Sequence, residues 1–592
     1  MSMNTKKVGY RDYLNLLITY LRPQAGRVFL LAVLLLGGIG LQLVNPQLVR
    51  RFLDTAENGR SLTQLTQTAI LFISIAILAQ ILQLLGTYLG EHIAWTATNN
   101  LRADLALHCL RLNMSFHKTH KPGELIERVD GDINSLSNFF SQLVIQLGTN
   151  LLLVIGVMGL LWLVDWRVGA TISLLFLMGL FLLNRINRHL VPRWQAVRQI
   201  QSDLFGYLEE WLSGTEEIQT NGAKAFIMRQ LYNLLRQRWR RTQSAMYLNL
   251  LVMGLPIFIP TLAYVAAYLW GEVLFRSSVL TVGGIYLIFY YVDLVKSPLW
   301  VIQRQVQDLQ QAAASMNRIV ALLAEQPDVD EGQGEMVPSG PLAVQFDHVS
   351  FYYADDKETR VLEDIHFTLL PGRVLGLLGR TGSGKTTLTR LLFRFYDPTS
   401  GVIRLGDGNG RFTNLRHFTQ SSLRQRIGMV TQEVELFHAS VRDNLTLFDP
   451  TIDDQHILAA LNELGMTTWL ANLPDGLDTR LEAGHNLSAG EAQLLALARV
   501  FLADPGLVIL DEASSRLDPA TEALIERAID RLLVGRTAII IAHRLGTVQR
   551  ADEIMILGDG RILEYGDRLQ LATNPNSRFA QLLRTGLETT YG

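Results

Sequence analysis

At 592 residues and a formal net charge of −2, the chain is too long for one compact core and too evenly charged for a polyanion binder, so nucleic acid is not an expected partner. Its single cysteine, Cys109, excludes an intrachain disulfide and a cysteine-built metal site, and its plain reading is a small buried side chain. Long apolar runs dominate up to about Ile302, whereas the sequence beyond about Pro338 has the pattern of a water-soluble α/β domain.

Residues 1–27 are polar and basic, with no short apolar core and small-residue cleavage site, and are predicted to be an uncleaved cytoplasmic segment. Six apolar segments follow, at about 28–49, 68–90, 140–164, 167–186, 247–270 and 279–302. Each approaches the roughly 20 residues that a bilayer core requires. A water-soluble bundle holding all six would need an implausibly large core, so they read as membrane spans. Basic residues gather at the N-terminus (Lys6, Lys7, Arg11), between the second and third spans (Arg102, Arg111, Lys118) and between the fourth and fifth (Arg193, Lys224, Arg236, Arg241). Both termini and these two long connections are therefore expected on the cytoplasmic side of a plasma (inner) membrane.

The two connections are too long for turns, and their apolar spacing predicts helices continuing beyond the bilayer. Each is punctuated near its middle, at 116–124 and 212–218, where a short docking helix for the soluble half is expected. Asp293 sits in the sixth span with Lys296 one turn on, read as an internal ion pair rather than a proton-coupling group. Pro46, Pro256, Pro260 and Pro298 are expected to kink their helices. The expected domains are a transmembrane domain over 28–325, a linker over 326–340 and a soluble domain over 341–592.

In the soluble half, Val374–Leu378 reads as a buried strand that runs into Gly379-Arg380-Thr381-Gly382-Ser383-Gly384-Lys385-Thr386, with a helix starting near Lys385. Strand, glycine-rich loop and helix N-terminus together make a phosphate cradle. Lys385 is expected to reach the β- and γ-phosphates and Thr386 to bind Mg²⁺, with Thr387 beside it. A second strand, 507–510, ends in Asp511, expected in the Mg²⁺ shell, and Glu512, expected to orient the attacking water. A third, 537–542, ends at His543, placed to sense the γ-phosphate.

These motifs, in this order, resemble the ATP-binding cassette family, specifically exporters with the membrane domain fused ahead of the cassette, over nearly the whole chain. The resemblance implies an all-α transmembrane domain of six helices with long cytoplasmic extensions, followed by an α/β P-loop NTPase cassette. It implies that Tyr353 (with Tyr352 the lesser candidate) stacks on adenine, and that Gln432 touches Mg²⁺ and the attacking water. It further implies that the pentad Leu487-Ser488-Ala489-Gly490-Glu491 is the signature, placing Ser488, Gly490 and Glu491 at the ATP of a second cassette. Ser514–Asp518 is similar to the family's communicating loop, Ala542–Leu545 to its switch, and the two docking stretches to its coupling helices. Ala489 and Glu491 depart from the family's Gly and Gln, and Arg516 replaces a small residue. The implied function is ATP-driven export or flipping of an amphipathic, lipid-like or drug-like substrate by alternating access of a dimer, homomeric or heteromeric. Glu512, His543 and Gln432 are its catalytic residues, with ATP and Mg²⁺ as cofactors. An ATP-gated channel or regulatory ATPase, and a peptide exporter, are the alternatives.

Overall fold

The computed structural model describes residues 10–59, 62–138, 146–353, 360–408, 410–432, 434–481, 487–511, 519–542 and 548–585. They group into two compact units, one drawn from 1–110 and 122–325, the other from 111–121 and 326–592.

In chain order the long helices and the short ones between them are α1 (Tyr10–Leu21), α2 (Ala25–Glu57), α3 (Leu62–Arg111), α4 (Met114–Thr119), α5 (Gly148–Val164), α6 (Trp166–Ser213), α7 (Thr215–Thr220), α8 (Lys224–Arg276) and α9 (Val282–Ala324). All but α4, which belongs to the second unit, build the first. In the apolar stretches of these helices large side chains remain exposed, among them Phe29, Leu84, Leu163 and Phe181, Leu163 to 83%. Such a surface is stable only against lipid. Among the described residues four helices, reaching to Glu57, Arg111, Ser213 and Arg276, are long and apolar enough to cross a membrane, and α5 is a shorter apolar helix. The start of the third expected span, 139–145, lies outside the described residues.

Local chemistry sets the helix ends. Asp165 caps α6 by accepting from the Arg167 amide at 2.8 Å, and Thr281 caps α9 by accepting from the Gly284 amide at 3.1 Å. The inner contacts are tight: a Cβ on Gly283 would lie 2.4 Å from Asp54 Oδ1 and 2.5 Å from the Arg50 carbonyl, so α2 and α9 approach this closely only over glycine. Deeper in, the buried Tyr291 hydroxyl accepts from Gln47 (2.7 Å) and donates to the Leu43 carbonyl (3.1 Å), fastening the same two helices. Asp293 does not pair with Lys296. It accepts from the Tyr264 hydroxyl at 2.8 Å instead, because α8 brings that phenol across to it. Pro46, Pro256, Pro260 and Pro298 all lie inside helices.

The second unit is the α/β domain. Its strands are β1 (Ala343–Phe351), β2 (Leu362–Leu369), β3 (Val374–Gly379), β4 (Ser400–Gly406), β5 (Phe412–Asn414), β6 (Ile427–Val430), β7 (Leu507–Asp511), β8 (Thr537–Ile541), β9 (Glu553–Gly558) and β10 (Arg561–Asp567). Among the described residues they form an antiparallel sheet, β2-β1-β4-β5, and a mostly parallel one, β10-β9-β3-β8-β7-β6. The strands of the second sheet are continuous apolar runs because both faces are covered: every residue of β3 and β8 is buried.

A candidate nucleotide site at the carboxyl edge of the parallel sheet

Strand register brings the motifs together. Leu377 of β3 and Asp511 of β7 both pair with Ile541 of β8, and Val430 of β6 pairs with Leu510. The four parallel strands therefore end level, and the segments that follow Leu378, Val430, Leu510 and Ile541 leave the sheet at one edge. In open parallel sheets that edge is where ligands bind.

The loop after β3 turns through Gly384 at φ +102°, where a Cβ would lie 2.6 Å from Leu362 Cδ2 and 2.9 Å from the Val361 carbonyl, so only glycine fits. The next residue, Lys385, starts α10 (Lys385–Leu392) and is buried. Its ammonium donates to the carbonyls of Gly379 (2.5 Å) and Arg380 (3.1 Å), which holds a cation inside the loop. Ser383 Oγ is buried there with no hydrogen-bond partner. An orphaned hydroxyl is costly to bury, and an anionic oxygen entering the loop would satisfy it. Arg380, Thr381, Gly382 and Thr386 are exposed around this buried pair, while Thr387 is buried. Asp511 is partly exposed at the end of β7, and Gln432 is exposed beyond β6. Glu512, Ser514–Asp518 and His543 lie outside the described residues.

Tyr353 stands beside the loop in an aromatic corner. Its ring meets Phe351 (5.0 Å, 84°) and Tyr396 (5.2 Å, 86°) edge to face, and its hydroxyl hydrogen-bonds Thr387 Oγ1 at 3.1 Å. The Lys118 ammonium lies over the ring, 4.6 Å from its centroid. Lys118 belongs to α4, whose Ser115 hydroxyl donates to Asp328 Oδ2 at 3.0 Å. Sequence reasoning found Tyr353 and the 116–124 stretch separately. The contact between them had no local signal.

The comparisons with known proteins agree with this arrangement. Residues 28–298 match the family model described as ABC transporter transmembrane region, and 362–515 the model described as ABC transporter. Over 573 residues the chain is 31% identical to an uncharacterized ABC transporter ATP-binding protein of Bacillus subtilis, YknV, covering 94% of this chain and 91% of that one. The chain belongs to the ABC transporter family. It is also 33% identical to a fatty acid ABC transporter ATP-binding/permease protein of Mycobacterium bovis (80% of this chain, 74% of that one) and 30% identical to an ATP-dependent lipid A-core flippase of Burkholderia thailandensis (89% and 88%). A solved bacterial Atm1-family ABC exporter with ATP bound superimposes with a TM-score of 0.77, at 24% identity over 95% of this chain and 98% of that one, which establishes the fold.

This ABC transporter is therefore an integral membrane protein that binds ATP and couples its hydrolysis to transport. The pentad Leu487–Glu491 leads into α11 (Ala489–Ala503). Ser488 is the N-cap: its hydroxyl accepts from the Glu491 amide at 3.2 Å, and the Glu491 carboxylate accepts from the Ser488 amide at 2.7 Å. Ser-x-x-Glu is a reciprocal capping box. The charge at position 491 is thus turned back onto the helix's own first amide, and Ala489 sits in helical backbone where a methyl group is tolerated. Ser488 remains exposed and Gly490 is buried. Further along α11, Arg499 donates to the Asn444 carbonyl (2.6 Å), the Glu435 carbonyl (2.9 Å) and Asn444 Oδ1 (2.9 Å), tying this helix to Glu435 and Asn444 in the stretch that follows β6. Burial pulls this guanidinium's pKa down from its ordinary value.

Proposed function

We propose that two copies of this chain form an exporter that moves an amphipathic, lipid-like substrate by alternating access. The carrying observation is the exposed start of α11, where the capping box closes the Ser488 and Glu491 amides and leaves those of Ala489 and Gly490 outside it. A helix N-terminus with an outward serine hydroxyl suits the γ-phosphate of ATP held on another cassette. Because Glu491 satisfies its own helix, the departure from the family pattern leaves this surface usable, which favours a homodimer over a heterodimer. The names of the fatty acid and lipid A-core relatives support the substrate class.

In this reading Gly379–Thr386 cradles the phosphates, Lys385 turns its ammonium from the loop carbonyls to the β- and γ-phosphate oxygens, and Ser383 gains its missing partner. Tyr353 stacks on the adenine. Thr386, Asp511 and Gln432 offer the hard oxygen donors that suit Mg²⁺, which supplies charge neutralisation on the phosphates when bound. Glu512 orients the water, His543 senses the γ-phosphate, and Ser488 with Gly490 and the start of α11 closes over the ATP of the second cassette. The helices α4 and α7 act as coupling elements. Six spans with both termini cytoplasmic, in the inner membrane, complete the reading.

The purified chain, reconstituted alone in sealed liposomes, is expected to hydrolyse ATP and to flip a labelled lipid in an ATP-dependent, vectorial manner. Glu512→Gln should lower turnover about 100-fold or more while ATP binding persists. Full ATPase activity in that variant would refute the role of Glu512. A silent lone chain would refute the homodimer, and ATP-gated ion flux without lipid movement would make the protein a channel.

A further inference from the structure

A second cluster of chemistry-bearing side chains lies on the antiparallel pair β1–β2, apart from the phosphate loop. Pairing runs Phe346↔Phe367 and then Val349↔Ile365, so β1 is bulged and Asp347 and His348 together oppose His366. His348 (φ +50°) takes the left-handed conformation at this irregularity, and Asp364 (φ +53°) does so at a second one, between the Val349↔Ile365 and Phe351↔Leu362 pairs. Regular alternation would send Asp347 and His348 to opposite faces. The bulge instead brings one atom each of Asp347, His348 and His366 within 4.8 Å of one another, all of them possible metal ligands. The two imidazoles are stacked, with centroids 4.8 Å apart.

The groups around these three are arranged as the outer partners of metal ligands. Asp364 Oδ1 lies 2.6 Å from His348 Nδ1, a contact that suits a proton on that nitrogen, and in the neutral ring Nε2 then keeps its lone pair for another partner. Arg404 donates to Asp347 Oδ2 at 2.9 Å, while Asp347 Oδ1 faces His366 Nδ1 at 3.6 Å. One carboxylate oxygen is thus anchored and the other is turned toward the imidazoles. His348 and His366 are 67% and 55% exposed, so an ion can reach them and their rotamers can close to metal–nitrogen distances of about 2 Å.

We propose that Asp347, His348 and His366 form a surface site for a borderline divalent transition-metal ion of the Zn²⁺ type, with Asp364 and Arg404 orienting the ligands. Two imidazoles and one carboxylate, with a remaining position for water, suit Zn²⁺, Ni²⁺ or Cu²⁺. Mg²⁺ demands near-octahedral oxygen coordination and is a poor competitor here, so the site stays distinct from the nucleotide's metal. An ion held there bridges β1 to β2 only a few residues before Tyr353.

The test is titration of Zn²⁺ alone into the tag-free, full-length protein, stripped with chelator, in detergent and without nucleotide, read by calorimetry. One saturable Zn²⁺ per chain is expected. His366→Gln should abolish it, as should His348→Asn, where asparagine tolerates the left-handed backbone. Asp364→Asn should weaken it about 10-fold. Thermal unfolding without Zn²⁺ should be the same in the wild type and the histidine variants, whereas Zn²⁺ should raise the midpoint of the wild type only. Unchanged stoichiometry and affinity in both histidine variants would overturn the proposal. So would no saturable binding in the wild type, or displacement of the bound Zn²⁺ by excess Mg²⁺.

Discussion

The cassette contains two helix starts of opposite construction. The first, at α10, follows Gly384 with no side-chain cap, and beside it sit a buried lysine and a buried hydroxyl without a partner. The second, at α11, is closed by the Ser488–Glu491 capping box and lies at the surface. An uncapped start leaves amide hydrogens to be satisfied from outside, and so pairs naturally with an anion that enters and stays. A start closed by a capping box has two of its amides already satisfied. It can present one hydroxyl to a visiting surface and give it up again at little cost.

The largest expected effect on this contrast is Lys385→Ala. It removes the cation from the uncapped end and should cut ATPase activity about 100-fold or more, measured as kcat/KM. Activity near wild type would mean that the loop's backbone suffices and that the buried ammonium is structural. Ser488→Ala should act on the other end in two ways. Loss of the cap should lower stability by about 1 kcal/mol in chemical unfolding. ATPase should fall further than that destabilisation explains, and its dependence on protein concentration should steepen as dimer closure weakens. A variant that is less stable yet hydrolyses ATP normally would leave the serine with capping alone.

The smallest effect is expected from Glu491→Gln. Glutamine also closes a capping box, so stability should stay within about 0.5 kcal/mol of wild type. If Glu491 faces a partner's phosphates as proposed, removing its negative charge should lower the KM for ATP. A raised KM would show that the carboxylate serves the nucleotide directly.

Much of this site could be read in the sequence, for identifiable reasons. The phosphate loop and the acidic strand end are contiguous motifs, and the parallel strands that carry them are continuous apolar runs. The capping box is equally legible, since Ser488 and Glu491 stand at the required spacing ahead of an apolar run. Contacts across elements were not legible. Asp293 has Lys296 at helical spacing, yet it accepts from Tyr264 on another helix, and nothing local distinguishes these partners. The bulge that gathers Asp347, His348 and His366 breaks the alternation on which strand reading depends.

The ammonium over Tyr353 has a consequence for nucleotide affinity. An aromatic face accommodates one guest at a time. If a purine stacks on the face that Lys118 covers, as proposed above, it has to displace that cation first, and its affinity is then an exchange constant that contains the lysine's departure. On that reading Lys118 is an internal rival of the base, tethered only a few residues beyond the end of α3.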